Sequence, residues 1–184
     1  MRGILNGTAN YILSGMAMGQ DYAEALAQAQ ALGYAEADPT DDVEGDDPVA
    51  KTLILAAVAF DRALAPSKVV RQGITTLTKE QVQQANALGK RIKHVASLCL
   101  LSLDGTEVSR ETADNGIVPT RLEARVEPLA IPLSDPLARI DGLLNAIAVQ
   151  TDTEASVMVV GPGAGRFQAG QGMLADLIAI GKAP

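Results

Sequence analysis

The order of hydrophobic patterns along the chain is the feature that most limits its fold. In the first half, apolar residues recur three or four positions apart, as on one face of a helix, whereas short β-branched runs separated by Gly, Pro, Asp and Asn fill the second half. Helices that come before a group of strands, instead of alternating with them, are typical of α+β domains. We therefore predict an α+β fold in which a mixed β-sheet carries helices on one face.

Residues that favour helix ends set the limits of the predicted elements. Asn6, Asp21 and Thr78 are of types that cap helix N-termini, and Gly33 and Gly89 are suited to end helices. The helix at 48–60 has almost no polar face, so we expect it to be buried on all sides. The predicted helices are 6–19, 22–32, 48–60, 78–88 and 168–180, the predicted strands are 92–102, 121–129, 144–150 and 157–160, and 66–74 is a strand or a linker.

Charge and composition restrict the partners. The 184 residues include 15 Lys and Arg against 22 Asp and Glu, a formal net charge of −7, which opposes binding to nucleic-acid phosphates and anionic membranes. The longest apolar stretch, 53–60, is far shorter than the roughly 20 residues that span a bilayer. Cys99 is the only cysteine, so no internal disulfide can form, and the N-terminus has no signal-peptide pattern. These features predict a cytoplasmic protein without nucleic-acid or membrane partners.

An acidic segment is the most informative stretch for function. Seven carboxylates occupy the twelve positions 36–47, and such crowding destabilises a fold unless a cationic group compensates the charge. Calcium is one candidate, but an EF-hand loop counted from Asp38 requires Gly and Glu where two valines stand. The N-terminus of the following helix accounts for Asp46 and Asp47 only. The ammonium group of a small substrate and a merely solvated acidic loop both remain open.

Asp47 and Lys51 form the sharpest candidate for chemistry. They are four residues apart with the acid first, which places both on one face of a helix in the favoured order. Lys51 stands just before the apolar run 53–58, so we expect its ammonium to be held against the protein with Asp47 as its partner. Desolvation favours the neutral amine and Asp47 favours the charged form, and a lysine balanced between the two is suited to proton transfer with an oxygen on carbon. A purely structural ion pair has the same sequence pattern.

Several long motifs resemble the catalytic domain of homoserine dehydrogenases. They are MRGILNGTANYIL at 1–13, LGYAEADP at 32–39, and DVEGDD at 42–47 followed by AK at 50–51. The segments PLA at 136–138, NAI at 145–147 and GPGAG at 161–165 follow in the order that this family has them, so the resemblance runs from about 3 to 177. The resemblance implies an enzyme that interconverts L-aspartate 4-semialdehyde and L-homoserine with NAD or NADP. This reaction belongs to the biosynthesis of threonine, isoleucine and methionine. The resemblance also implies that the enzyme is a homodimer.

The resemblance also implies roles for single residues. Lys51 would transfer a proton to the substrate oxygen during hydride transfer, with Asp47 as the second catalytic residue. The substrate would be bound by Glu36, Asp42, Thr8, Gly7 and Tyr34. The cofactor would be contacted by Gly7, Thr8, Gly163, Ala164 and Gly165. No metal is implied, and the single histidine, His94, has no Cys or His near it in the sequence, which argues against a zinc site.

The glycine segment at 161–165 mimics a dinucleotide-binding fingerprint but departs from it. The third Gly of G-x-G-x-x-G would fall at Arg166. In the family that the chain resembles, this segment instead leads back towards the nucleotide-binding domain and lies near the nicotinamide. That family continues with Pro-Thr-Ala after the glycines, whereas this chain has Arg166-Phe167-Gln168. The cofactor contacts of this segment are where the resemblance is weakest.

The resemblance implies a division of labour between domains. The family carries a Rossmann domain ahead of the Gly-Ile-Leu-Asn-Gly-Thr segment, which here directly follows Met1-Arg2. We expect 1–165 to form a substrate-binding, catalytic and dimerisation domain, and 166–184 to form a helix that packs on a nucleotide-binding domain absent from this chain. The chain alone is then expected to be inactive. The alternative is a non-catalytic amino-acid-binding or dimerisation module derived from the same family.

Overall fold

The computed structural model describes residues 1–114, 116, 119–151, 155–163 and 166–182, with the backbone alone for 166–169. The predicted α+β fold with a mixed sheet is confirmed. The helices are α1 (Gly7–Ala17), α2 (Tyr22–Ala31), α3 (Thr40–Val43), α4 (Asp46–Phe60), α5 (Lys79–Ala87), α6 (Arg110–Asp114) and α7 (Arg166–Lys182). The strands are β1 (Arg2–Ile4), β2 (Val69–Arg71), β3 (Lys90–Ser102), β4 (Thr120–Pro132), β5 (Leu144–Gln150) and β6 (Ser156–Pro162), and 3₁₀ turns lie at Pro66–Lys68 and Pro136–Arg139.

Helix starts follow the capping residues that the sequence indicates. Asn6 accepts from the Ala9 amide through its side chain at the start of α1. Asp21 and Thr78 form complete capping boxes at α2 and α5. The side chain of each accepts from the backbone N–H of the third helical residue, whose own side chain accepts from the backbone N–H of the cap residue. These caps satisfy backbone N–H groups that the helix itself leaves unpaired. The sequence therefore fixes these three helix starts locally.

Within the described part of the chain, the strands form one sheet in the order β2-β4-β3-β1-β5-β6. Every pair is antiparallel except β2 with β4, which makes the sheet mixed. Side chains on one face of β3, such as Ala96 and Leu98, pack with Val49 and Ala56 of α4. Ile92, on the same face, packs with the core that α1 and α5 build. Helices α1, α4 and α5 thus cover one face of the sheet, as predicted.

Helix α4 and three short elements depart from the sequence predictions. Thr52 and Ala56 of α4 are fully buried, but Ile54 is 62% and Val58 is 78% exposed. The prediction that this helix is buried on all sides is therefore wrong, because only one side meets the sheet. The sequence analysis also missed β1, α3 and α6, which have only three to five residues each and are too short to show a hydrophobic period.

Strand β1 brings the N-terminus into the middle of the sheet, between β3 and β5. Its end therefore places Leu5 in the core that packs against α4 and Asn6 next to the start of α4. Among the described residues, no helix is both long and apolar enough to span a membrane.

Candidate active site

The link between β1 and α1 organises the site. Asn6 has an extended backbone, and its Oδ1 accepts from the Ala9 amide at 2.8 Å to cap α1. Its Nδ2 donates to Oδ1 of Asp42 at 2.5 Å and to Oδ2 of Asp47 at 2.8 Å. Asn6 is only 5% exposed, so this amide holds two carboxylates from a buried position. One side chain thus fixes both the helix start and the two acids.

Lys51 completes the group from α4. Its Nζ donates to Oδ2 of Asp47 at 2.7 Å and to the backbone oxygen of Leu5 at 3.0 Å. The predicted contact between Asp47 and Lys51 is therefore present, one helical turn apart on α4. The side chains remain partly accessible, with 42% of Lys51 and 31% of Asp47 exposed. Lys51 is held against the protein at its ammonium, yet a small molecule can reach it.

An acidic cavity of about 430 Å³ lies on the Asp47 side of this pair. Six of the seven carboxylates of the acidic segment line it, namely Glu36, Asp38, Asp41, Asp42, Asp46 and Asp47. Asn6 orders Asp42 and Asp47. In the part of the chain that the structure describes, the Glu36 and Asp41 carboxylates have neither a hydrogen-bond partner nor an ion-pair partner. The cavity therefore offers unpaired negative charge next to two oriented carboxylates.

The other three acids of the segment, two of which also line the cavity, are paired with nearby side chains. Asp46 forms an ion pair with Arg71, and Glu44 accepts from the Thr75 hydroxyl at 2.6 Å. Hydrogen bonds from the side chain and backbone of Thr40 lower the pKa of Asp38. The crowding of seven carboxylates is thus relieved in part by ordinary local contacts. Within the described residues, no three His, Cys, Asp or Glu side chains converge as a metal-binding group.

Gly7, Thr8 and Tyr34 lie beside the site without lining its cavities. The Thr8 hydroxyl donates to the Tyr34 backbone oxygen at 3.0 Å, which ties the first turn of α1 to the start of the acidic segment. The Tyr34 ring packs edge-on against Tyr11, with ring centroids 5.2 Å apart. A Cβ on Gly7 would lie 3.1 Å from the Leu143 oxygen, so the glycine allows close packing there. The structure brings these residues near the acids but not into either cavity.

A second, apolar cleft of about 410 Å³ lies on the Lys51 side of the pair. Aliphatic side chains form most of its wall, and among its described lining residues Lys51 and Asn145 carry the polar side chains. Asp47 lines the acidic cavity, whereas Lys51 lines the apolar cleft. The Asp47–Lys51 ion pair therefore lies between an acidic cavity and an apolar cleft.

The glycine segment at 161–165 reaches this apolar cleft through its three described residues, Gly161, Pro162 and Gly163. Gly163 lines the cleft, and its amide donates to the Leu143 oxygen at 3.3 Å. Ala164 and Gly165, the other two residues predicted to contact a cofactor, lie outside the described residues. Gly163 is thus brought to the same cleft as Lys51.

Sequence reasoning missed three groups of the site. It assigned Asn6 only as a helix cap, although an asparagine cap keeps a free amide donor that an aspartate or serine cap lacks. It gave no role to Asn145, whose Nδ2 donates to the Leu5 oxygen at 3.1 Å. The Leu5 backbone oxygen, which accepts from both Asn145 and Lys51, leaves no signal in a sequence at all.

Comparison with known proteins identifies the family. The family model of homoserine dehydrogenase matches residues 1–178. The chain is 46% identical over 177 residues to a homoserine dehydrogenase of Mycobacterium tuberculosis, covering 96% of this chain and 37% of that protein. It is 39% identical over 178 residues to an NAD(+)-dependent homoserine dehydrogenase of Pseudomonas canavaninivorans, covering 97% of this chain and 46% of that protein.

A solved structure agrees with the sequence relatives. The crystal structure of the S. aureus homoserine dehydrogenase at pH 6.0 superposes with a TM-score of 0.82 and 34% identity, covering 98% of this chain and 42% of that one. The chain therefore spans well under half the length of the relatives it matches. The match includes both the helices and the sheet, and it extends over nearly the whole chain. The chain belongs to the homoserine dehydrogenase family.

Proposed function

We propose that this chain supplies the substrate-binding and proton-transfer half of homoserine dehydrogenase, which interconverts L-aspartate 4-semialdehyde and L-homoserine. The observation that carries the proposal is the Asp47–Lys51 ion pair, because it joins an acidic cavity to an apolar cleft. The substrate needs negative charge beside its α-ammonium group and a proton-transfer group beside its C4 oxygen. The pair provides both within one helical turn.

The acidic cavity suits the ammonium end of the substrate. Glu36 is exposed and unpaired among the described residues, so it can pair with the α-ammonium without breaking an existing bond. Asp42 is already oriented by Asn6 and adds a second carboxylate to the same cavity. Thr8 and Tyr34 stay in the proposal as neighbours that hold the first turn of α1 against this segment.

Lys51 handles the proton of the reaction. In the oxidation of homoserine, the neutral Lys51 amine takes the proton from the C4 hydroxyl while a hydride leaves C4, and the aldehyde forms. In the reverse direction, the Lys51 ammonium donates a proton to the aldehyde oxygen as the hydride arrives at C4. Oδ2 of Asp47 and the Leu5 oxygen each accept one hydrogen bond from Lys51 Nζ, so the ammonium keeps one orientation.

A nicotinamide cofactor, NAD or NADP, supplies or accepts the hydride when it is bound. The described residues fit the nicotinamide end of such a cofactor, because the apolar cleft beside Lys51 has mostly aliphatic walls and Gly163 in its lining. Gly7 and Thr8 lie at the other end of the Leu5–Asn6 link, and Ala164 and Gly165 extend the segment of Gly163. These residues remain the proposed cofactor contacts of this chain. A relative named as NAD(+)-dependent supports the nicotinamide assignment.

The exposed apolar surface of α7 suits the proposed packing on a nucleotide-binding domain. The side chains of this helix that are at least 49% exposed include Met173, Leu174, Leu177, Ile178 and Ile180. We propose that they cover a nucleotide-binding domain, as the family resemblance implies. The sheet face opposite the helices carries the half-exposed row Arg125, Ser97, Arg2, Ala148 and Met158, and we propose that it pairs two copies into a homodimer.

A binding and turnover experiment tests the proposed function. Calorimetry would measure L-homoserine binding to the pure chain, with and without NADP and a separately supplied nucleotide-binding domain from a relative. We expect NADP reduction only in the complete mixture, and we expect Glu36→Gln to weaken homoserine binding. Glu107→Gln is the matched control, because Glu107 lies at a different cavity, beside Cys99 and Met1.

The outcomes distinguish a dehydrogenase domain from a non-catalytic module. Turnover in the complete mixture that depends on Lys51 supports the dehydrogenase proposal. Amino-acid binding by the chain alone, with no turnover in any mixture, supports the alternative of a non-catalytic binding or dimerisation module. Turnover by the chain with NADP and no added domain would contradict the proposed division of labour.

A further inference from the structure

The apolar cleft contains a side chain that the proposed function leaves without a role. Asn145 lies on β5, opposite Gly161 of β6, and its Nδ2 donates to the Leu5 oxygen at 3.1 Å. The same oxygen accepts from Lys51 Nζ at 3.0 Å. One backbone carbonyl therefore has two donors, one from the proposed proton-transfer group and one from β5.

The Leu5 carbonyl decides which way the Asn145 amide faces. If the amide were turned over, two oxygens would face each other, so Nδ2 must point to Leu5. This orientation leaves Oδ1 buried and without a hydrogen-bond partner among the described residues. A buried acceptor without a donor is costly and is rare in folded proteins.

Gly163 packs directly on the Asn145 amide. A Cβ built on Gly163 would overlap the Nδ2, Cγ and Oδ1 atoms of Asn145, so only glycine leaves room for the amide. The requirement is steric, because the Gly163 backbone does not lie in the left-handed region. The Gly163 amide is in turn anchored to the Leu143 oxygen, just before β5. Asn145 is therefore enclosed between the glycine segment and the carbonyl that holds Lys51.

We infer that Asn145 is a positioning residue that relays the position of the Gly163 segment to the Lys51 ammonium through the Leu5 carbonyl. Asn145 does not itself exchange a proton with the substrate. A shift of Gly163 pushes on the amide, the amide tilts the Leu5 carbonyl, and the carbonyl carries one of the hydrogen bonds that orient Lys51. The inference depends on the proposed function only in treating Lys51 as the proton-transfer group.

Chemical labelling of the chain tests this relay without turnover. Trace acetylation followed by mass spectrometry gives the reactivity of Lys51 relative to Lys79, at the start of α5. We expect Asn145→Ala to raise the relative labelling of Lys51 by about fivefold, because the Leu5 oxygen that accepts from Lys51 loses the contact that holds it in place. Asn86→Ala is the matched control, because Asn86 is also half-buried and also donates from Nδ2 to a backbone oxygen, that of Ala17, at 2.9 Å.

A double-variant comparison separates positioning from simple damage to the fold. Gly163→Ala alone forces the Asn145 amide aside and should raise Lys51 labelling as Asn145→Ala does. In the Asn145→Ala background the added Cβ has room, so Gly163→Ala should add little further change. Additive effects of the two substitutions, or equal Lys51 labelling in Asn145→Ala and Asn86→Ala, would overturn the inference.

Kinetics in the complete mixture give the second readout. We expect Asn145→Ala to lower kcat by about tenfold or more with KM for homoserine within about twofold, because the proton-transfer group is misplaced and the ammonium site is intact. An unchanged kcat with a raised KM would contradict the relay. If no variant or wild-type chain shows turnover, the proposed function fails, while the labelling result still decides whether Asn145 positions Lys51.

Discussion

The side-chain amide of Asn6 donates to Oδ2 of Asp47 at 2.8 Å, and the same oxygen accepts from Lys51. A buried helix cap therefore also orders an acid–base pair on another helix. The Leu5–Asn6 link supplies both fixed contacts of the Lys51 ammonium, directly through the Leu5 oxygen and indirectly through Asp47. The proposed proton-transfer group is thus positioned from β1 and α1 as well as from its own helix.

Asn6→Asp separates the two roles of this residue. Aspartate caps a helix as well as asparagine does, so α1 should keep its N-cap. The variant loses the donor to Asp42 and Asp47, however, and adds a third carboxylate between them. We expect turnover in the complete mixture to fall by about 100-fold or more, since Asp47 is then mispositioned and repelled.

Asp21→Asn is the control for the cap itself. Asp21 caps α2 on the exposed surface, and either residue type serves there, so stability should change by less than about 0.5 kcal/mol and turnover should not change. Unfolding in urea measures the first effect, and NADP reduction measures the second. An Asn6→Asp variant with wild-type turnover would show that the bridge between the two acids is not needed.

Lys51→Met tests the proton-transfer role. We expect turnover to fall by about 100- to 10,000-fold, the usual contribution of a positioned acid–base group. Stability should change by less than about 1 kcal/mol, because both partners of this ion pair are partly exposed to solvent. Lys79→Met is the control at a remote helix start. A Lys51→Met variant that retains more than about a tenth of the wild-type rate would exclude general acid–base catalysis by this residue.

The helix starts and the Asp47–Lys51 ion pair can be predicted from the sequence because they depend on residues close together in the chain. Caps at Asn6, Asp21 and Thr78 and the four-residue spacing of Asp47 and Lys51 depend only on neighbours in the chain, and the structure has them. Contacts between distant segments left no such signal. The contacts of Asn6 with Asp42 and Asp47 span 36 and 41 positions, and the contact of Asn145 with Leu5 spans 140. The exposed side of α4 was missed because apolar residues line a cleft there as they would line a core.

Lys93→Met tests a buried lysine that serves the fold. Lys93 is 1% exposed, and its Nζ donates to Oδ1 of Asn10, to the Ile140 oxygen and to Oδ1 of Asp141. Burial lowers the pKa of Lys93, and its contact with Asp141 opposes that effect. Removing the ammonium leaves the buried Oδ1 of Asn10 without a donor, whereas the Ile140 oxygen keeps the Asn10 amide and Asp141 is largely exposed, so we expect a loss of about 2 kcal/mol in the free energy of unfolding.

The loss at Lys93 should be one of stability alone. Urea unfolding measures it, and the turnover of the folded variant per mole should match wild type, because Lys93 contacts neither cavity beside Lys51. Arg110→Met is a matched control, since Arg110 pairs with Asp114 on the surface, and it should cost less than about 1 kcal/mol. A Lys93→Met variant as stable as wild type would mean that the apolar chain of methionine compensates for the three lost hydrogen bonds.

His94 should make the free energy of unfolding increase as the pH rises. The ring is 4% exposed, its Nε2 lies 2.9 Å from the Gln72 oxygen and must donate to it, and Nδ1 is buried without a partner among the described residues. Burial lowers the pKa of His94, and the hydrogen bond to Gln72 opposes that effect. The unfolded chain therefore binds more protons between the lowered folded pKa and the ordinary value of about 6.5. Stability should rise with pH across this window and be lost as pH falls through it.

The slope that His94 contributes cannot exceed about 1.4 kcal/mol per pH unit, the value for one proton. Because His94 is the only histidine, the comparison with His94→Gln isolates its contribution from that of the carboxylates, which titrate at lower pH. Urea unfolding from pH 5 to pH 7.5 should show a steeper rise for wild type than for His94→Gln, whose amide keeps a donor for Gln72 but binds no proton. Parallel curves for the two proteins would show that His94 is protonated as readily in the folded state as in the unfolded chain.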